Sequence, residues 1–277
     1  MNAVVSTSPS AGLVSVVMPA HDAAATLNDS IASVSTQSCT NWELWVVNDG
    51  SSDATAAVLN DWARRDARVK VLTLVTKSGP GAARNLALDQ AQGEYIAFLD
   101  ADDVWLPDKL RLQRQAMDAQ TLDLSYGDHI RFYADAKRGP LRVQAIDWVD
   151  LARLHQRNWI LLSSAMLRRS RLGDLRFKTV PHEDYVYWHA ALSRIDRAYR
   201  VAPGVALVQY RVWARSRSGQ KLRSAWQHWT LLRTEFGLSW PQAIRGFACY
   251  AHHGLVRTLR AWSTPRTGTR HENPQEG

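Results

Sequence analysis

Gly93-Glu94-Tyr95-Ile96-Ala97-Phe98-Leu99-Asp100-Ala101-Asp102-Asp103 runs five apolar residues straight into three carboxylates. The continuous run 95–99 reads as a strand buried on both faces. A sheet interior cannot hold unpaired charges, so the strand must end at Asp100 and deliver its acids into a crevice. Side chains alternate along an extended chain, which puts Asp100 and Asp102 on one side and Asp103 on the other. Two hard oxygen donors at the carboxyl end of a strand suit Mg²⁺ or Mn²⁺ carrying a phosphate-bearing substrate. A solvated acidic turn is the plain alternative.

Working upstream, residues 13–18 form a β-branched strand stopped by Pro19, and Leu27, Ile31 and Val34 space a helix over 24–38. A second buried strand, 42–47, runs into Asn48-Asp49-Gly50-Ser51-Ser52-Asp53, where Ser52 or Asp53 can cap a helix over 54–65. A third strand, 69–75, leads through Lys77-Ser78-Gly79-Pro80-Gly81 into a helix over 82–91. Three β-α units predict an α/β chain with a mostly parallel, three-layer sheet. Such sheets bind ligands at the strands' carboxyl ends. His21-Asp22, Asn48-Asp49, the cluster 77–84 and the acids at 100–103 all fall there, and four successive strand ends weigh more than any one motif.

Downstream, the spacing predicts a helix over 109–119 and a strand over 122–126, then a polar stretch to Gly139 open to further strands. Residues 147–156 read as helical, and 159–167 as a strand or buried segment interrupted by Ser163 and Ser164. Pro181-His182-Glu183-Asp184 opens a helix reaching residue 193, and 201–210 is the last strand.

A chain of 277 residues with 45% hydrophobic content can bury one large domain plus an extension. Cys39 and Cys249 stand in no metal spacing and fit free thiols in a reducing compartment. Residues 1–12 lack the charged and apolar regions of a leader and read as a short disordered tail. No apolar run approaches the roughly 18 residues of a membrane span, so the expected location is cytoplasmic. From residue 211 onward 11 Lys/Arg face 3 Asp/Glu, so that segment carries the whole net charge of +8. A neutral body with a basic end suits an anionic partner, membrane lipid or nucleic acid.

Gly79-Pro80-Gly81-Ala82-Ala83-Arg84 imitates a dinucleotide fingerprint, but Arg84 stands where the third glycine belongs. The simpler reading is a tight turn from which Arg84 reaches a phosphate or base; the alternative is a surface salt bridge. Asp100-Ala101-Asp102-Asp103-Val104 also matches the D-x-D-x-V nucleophile motif of haloacid-dehalogenase-type phosphatases, with Asp100 as nucleophile. That fold carries its motif on the first strand, whereas three β-α units come first here. Glu183-Asp184 at a helix start reads either as a general base or as acids favoured by the helix dipole. Arg211 and Trp213, closing the last strand, suit a diphosphate or a sugar face, or plain packing.

In order and spacing, Pro19-Ala20-His21-Asp22, Asn48-Asp49-Gly50-Ser51-Ser52-Asp53, Gly79 to Asn85, Asp100-Ala101-Asp102-Asp103, Glu183-Asp184-Tyr185 and Tyr210-Arg211 resemble family 2 glycosyltransferases. His21 stands for that family's Tyr, Asp22 for Asn, Asn48 for the first Asp, and Trp213 for a frequent His. The resemblance implies a GT-A type three-layer α/β/α sandwich, with a mostly parallel nucleotide-binding sheet and a helical C-terminal extension. It implies an inverting, metal-dependent enzyme that moves a sugar from a nucleotide-diphosphate donor, UDP-linked by family preference, to a free or polyprenyl-linked saccharide. A phosphatase and a catalytically dead sugar-nucleotide-binding module are the alternatives. By resemblance, Pro19, His21, Asp22, Asp49, Arg84 and Asp100 would bind the nucleotide sugar, with Asp100 toward the ribose or the metal. Asp102 would hold Mg²⁺ or Mn²⁺, Asp184 would deprotonate the acceptor, and Glu183, Arg211 and Trp213 would face acceptor or phosphate.

The expected boundaries are a catalytic domain at 13–218, split at 103/104 into donor and acceptor halves, an extension at 219–263 and a disordered tail at 264–277. Ser216-Arg217-Ser218, Lys221, Trp226 and Trp229 resemble the tails of exopolysaccharide, teichuronic-acid and capsule-assembly members. Ile244, Phe247, Ala248, Ala251, Leu255, Leu259 and Trp262 share one helical face, with Arg245, His252, Arg257 and Arg260 elsewhere. Such a helix either lies on an anionic membrane at the inner face of the plasma membrane or packs on the domain. No nucleic-acid partner is expected.

Overall fold

The apolar runs become strands because both of their faces are covered. In the computed structural model, which describes residues 10–133, 139–213 and 220–263, the first half alternates β1 (Ser10–Ala20), α1 (Leu27–Ser35), β2 (Trp42–Asp49), α2 (Thr55–Arg65), β3 (Val69–Leu74), α3 (Pro80–Gln90) and β4 (Gly93–Phe98). These strands pair in parallel in the order β3-β2-β1-β4. Alternation sends Val17, Val47, Ile96 and Phe98 to one core with Ala83, Ala87 and Trp188. Val16, Met18, Val46, Tyr95 and Ala97 go to the other core with Leu27, Ile31, Leu59 and Leu110. The sheet is therefore the middle of three layers. Its order reverses between β1 and β4, and the crevice at such a switch point is where open α/β sheets place ligands.

The second half supplies β5 (Val104–Trp105), α4 (Lys109–Ala119), β6 (Leu124–Tyr126), β7 (Asp128–Tyr133), β8 (Leu141–Val143), β9 (Trp148–Val149), α5 (Leu151–Leu154), β10 (Met166–Arg168), α6 (Arg169–Leu172), α7 (Glu183–Leu192), β11 (Ala198–Arg200) and β12 (Ala206–Val212). Beyond β4 the large sheet continues β10-β6-β11-β9, with β10 antiparallel to both neighbours. A smaller sheet, β5-β12-β7-β8, stands beside it.

Four expectations change here. The single strand at 201–210 divides, because Ala202 and Gly204 adopt positive φ (+48° and +82°) and turn the chain from β11 in one sheet to β12 in the other. The helix at 147–156 shrinks to the short strand β9 and one turn, α5. Residues 159–167 hold a 3₁₀ turn, Leu162–Ser164, before β10. At the start, β1 begins at Ser10 and the Gly12 N–H donates to Glu94 at 2.8 Å, so residues 10–12 are strand; the rest of the expected 1–12 tail, and the 264–277 tail, lie outside the described residues.

After β12 come α8 (Gln220–Thr230), a π-helical turn (Leu231–Glu235) and α9 (Trp240–Ser263). The face of α9 that docks carries Ala243, Gly246, Phe247 and Tyr250. Phe247 packs on Trp229, Tyr250 stacks on His228 at 4.1 Å, and Gly246 lies so close that an added Cβ would sit 2.9 Å from the His155 carbonyl oxygen. Of the predicted stripe, Phe247 joins this docked face, whereas Ile244, Ala248 and Ala251 are exposed. The side chains of Leu255, Leu259 and Trp262 lie outside the described residues. Among the described residues no helix is long and apolar enough to cross a membrane.

Candidate active site

Four strand ends meet around one cleft of about 530 Å³. Pro19, His21 and Asp22 enter it from the end of β1, Asp49 from β2, Lys77 and Arg84 from the loop after β3 and from α3, and Asp100 and Asp102 from the end of β4. Trp213, one residue past β12, closes another side. Thr26 also lines the cleft, although the motifs gave it no role.

Asp49 organises the entrance. Its two carboxylate oxygens accept the Ser78 and Gly79 N–H groups at 2.6 and 2.8 Å, holding the loop that opens α3. Gly50 permits this approach: its φ is +60°, and a Cβ there would lie 2.6 Å from the Lys77 nitrogen. The His21 Nδ1–H donates to the Asp49 carbonyl oxygen at 2.8 Å, and Nε2 lies 3.3 Å from Asp22. Asp22, at φ +46°, accepts the Ser52 N–H at 2.8 Å, which holds its carboxyl below the usual carboxylate range.

At β4 the last ladder contact is Leu99 N–H to the Val17 carbonyl. Beyond it the chain is a turn rather than extended strand, closed by the Asp103 N–H on the Asp100 carbonyl at 3.0 Å. Asp100 and Asp102 do share the cleft, but turn geometry brings them there, not strand alternation. Asp103 points inward, fully buried, where it accepts the Ser163 hydroxyl at 2.5 Å and the Arg211 N–H at 3.0 Å. It ties the acidic turn to β12 and to the Ser163 turn. Burial, reinforced by Asp100, pushes its carboxyl well above the ordinary range. Asp102 accepts the Trp213 indole N–H at 2.8 Å; burial first, and then the charge of Asp100, raises its carboxyl.

Arg84 is only 4% exposed and donates from Nη2 to Asp100 at 2.7 Å and from Nη1 to Glu183 at 2.9 Å. Burial alone would lower its pKa, but the two carboxylates reverse this and hold the guanidinium above its ordinary value. Arg84 is thus paired, but as a buried bridge between two carboxylates rather than as the surface salt bridge that was the alternative. Arg211 turns away from the cleft, giving Nε–H to the Asp102 carbonyl oxygen at 2.8 Å. Glu183 and Asp184 begin α7 outside the cleft lining; Glu183 reaches it through Arg84. Asp184 accepts the Asn158 side-chain N–H at 2.7 Å, and burial, then Glu183, pushes its carboxyl up. Ser163 and Asn158 were missed as site residues; the pair of serines breaking the apolar run 159–167 was the available signal.

The glycosyl transferase family 2 model matches residues 15–184, from β1 through Asp184. The chain belongs to that family. This removes the phosphatase alternative, because Asp100 sits on the fourth strand of a nucleotide-sugar fold. Similar proteins include an Escherichia coli UDP-Glc:alpha-D-GlcNAc-diphosphoundecaprenol beta-1,3-glucosyltransferase, WfgD, 32% identical over 79% of this chain and 85% of that one. Another is a putative teichuronic acid biosynthesis glycosyltransferase of Bacillus subtilis, TuaG, 29% identical over 89% of this chain and 98% of that one. The fold matches S. aureus TarS in complex with UDP-GlcNAc at a TM-score of 0.65 and 21% identity, over 91% of this chain and 76% of that one. The architecture is thus GT-A, and the enzyme is a glycosyltransferase.

Proposed function

We propose that this glycosyltransferase moves a hexose from a UDP-sugar to a saccharide acceptor, free or carried on a polyprenyl diphosphate, in bacterial cell-surface polysaccharide synthesis. The observation that carries the reading is the convergence of Asp49, Arg84, Asp100 and Asp102 on one cleft at the β1/β4 switch point. WfgD is named for a UDP-glucose donor and a diphosphoundecaprenol-linked acceptor, and TarS holds UDP-GlcNAc. The catalytic unit is assigned to residues 13–218, with 219–263 as its helical extension.

In this reading Pro19, His21 and Asp22 shape the slot for the base. Each Asp49 oxygen takes one backbone N–H and retains lone-pair capacity for an N–H of the base. Asp100, fixed by Arg84 through one oxygen, presents the other to the ribose. The cleft fits a divalent cation in its donor chemistry: two carboxylates stand at its floor, and burial already disfavours the charge on Asp102. Asp102 would hold such a cation, with diphosphate oxygens and water completing its shell. Bound there, Mg²⁺ or Mn²⁺ would supply Lewis-acid stabilisation of the departing diphosphate; a Pyrobaculum calidifontis mannosyltransferase of similar fold is described with GDP-Man and Mn²⁺. Asp184 takes the proton of the acceptor hydroxyl as that oxygen attacks the anomeric carbon, and this single displacement inverts configuration. The test is turnover of a panel of nucleotide sugars with Mn²⁺. UDP-sugar consumption that EDTA stops supports the reading; binding without transfer or hydrolysis would mark a dead module.

The basic extension is assigned to an anionic membrane surface. Trp226, Trp240 and Ile244 are 70%, 61% and 56% exposed, and Arg233 sits over Trp240 at 4.5 Å. Aromatics with adjacent cations suit the headgroup region. Flotation with phosphatidylglycerol vesicles should fall to the level seen with neutral vesicles in the double variant Trp226→Ser/Trp240→Ser. Undiminished flotation would sink this assignment.

A further inference from the structure

The start of α7 is bound to the donor side by contacts that the strand-end motifs do not account for. Arg84 spans Asp100 and Glu183, and its guanidinium carbon lies 5.2 Å from the centre of the Phe177 ring. Phe177 in turn stacks on Tyr187 of α7 at 4.1 Å. Asn85, the next residue, clasps the Phe177 backbone in both directions: its side-chain N–H donates to the carbonyl at 2.9 Å, and its oxygen accepts the N–H at 2.7 Å. Two consecutive residues of α3 thus fix the segment that leads into α7. On the far side, Asn158 is itself oriented, because its side-chain oxygen accepts the Ile160 N–H at 3.2 Å, leaving Nδ2 for Asp184.

We propose that Arg84 and Glu183 are positioning residues that hold Asp184 in register with the donor-side acids and set the charge balance around it, with Asn158 fixing the direction of its carboxylate. This rests on the reading of Asp184 as the base, and it assigns Glu183 to that task instead of to acceptor or phosphate contact. The ionisable groups that face Asp184 are the Glu183 carboxylate, the Arg84 guanidinium and the His182 imidazole, while the neutral Asn158 amide donates to it. Glu183 favours the protonated form of Asp184, and Arg84 and His182 favour the ionised form. Removing the two positioning charges must therefore move Asp184 in opposite directions.

The experiment is a ¹³C NMR titration of aspartate carboxyls, with Asp184 assigned as the resonance lost in Asp184→Asn. Glu183→Gln should lower the Asp184 midpoint by about one pH unit, and Arg84→Met should raise it by about as much, as expected for single charges at this range. Arg84→Lys should restore the wild-type midpoint. The acid limb of turnover should follow each shift. A purely structural role would lower activity without displacing the midpoint. Midpoints that stay put, or move together, overturn the proposal; if Arg84→Met does not fold, Glu183→Gln decides alone, and a midpoint unchanged or raised overturns it. Full activity in Asp184→Asn is a separate outcome that rejects Asp184 as base.

Discussion

Asp184→Asn should lower sugar transfer by about 10³-fold, roughly 4 kcal/mol of barrier, while UDP affinity stays within about twofold. The substitution is close to isosteric, and its oxygen can still accept the Asn158 N–H that now holds Asp184 at 2.7 Å. What it removes is the proposed proton acceptor. Burial, and the charge of Glu183 beside it, make the native carboxylate a better base than a solvated aspartate. Because the group is half-buried and its charged form is disfavoured there, the neutral amide should not destabilise the fold. Asp184 does not line the cleft proposed for the donor, so the loss should fall on turnover. Steady-state kinetics with UDP calorimetry separate the two quantities. Wild-type turnover would contradict the assignment.

The parallel half of the fold was legible because its strands are apolar runs and its helices keep a recognisable spacing; in the second half, α4 alone spans a predicted range, 109–119, unchanged. The second half was harder for a physical reason. Strands β5, β8, β9, β10 and β11 are two or three residues long, too short to show a period. The break between β11 and β12 depends on positive φ at Ala202, an alanine that carries no turn signal of its own. On α9 two apolar arcs adjoin, and hydrophobicity does not say which one docks; Gly246, which lets the backbone close on His155, was the informative residue. Within the site, residue types at the strand ends placed Asp49, Asp100 and Asp102 in a common cleft. Sequence could not show that Arg84 is already engaged by Asp100 and Glu183, the latter 99 residues away. Nor could it show that Asp103 is spent on Ser163 and the Arg211 backbone, since both partners arrive from distant elements.

In the proposed function, the acids ending β4 clamp a nucleotide diphosphate through a divalent cation. Asp102 is half-buried beside Asp100, and its raised pKa reflects burial first and that neighbouring charge as well. A cation relieves both costs only when it also brings diphosphate oxygens, so metal and nucleotide should bind together. Asp102→Ala leaves Asp49 and its grip on the Ser78–Gly79 backbone intact, and with it the slot for the base. The most direct measurement is calorimetric titration of UDP into wild type and Asp102→Ala, with and without Mn²⁺. Mn²⁺ should tighten UDP binding to the wild type by about 100-fold, near 3 kcal/mol, and Asp102→Ala should lose this gain while keeping the weak metal-free affinity. An equal Mn²⁺-dependent gain in both proteins would contradict the clamp.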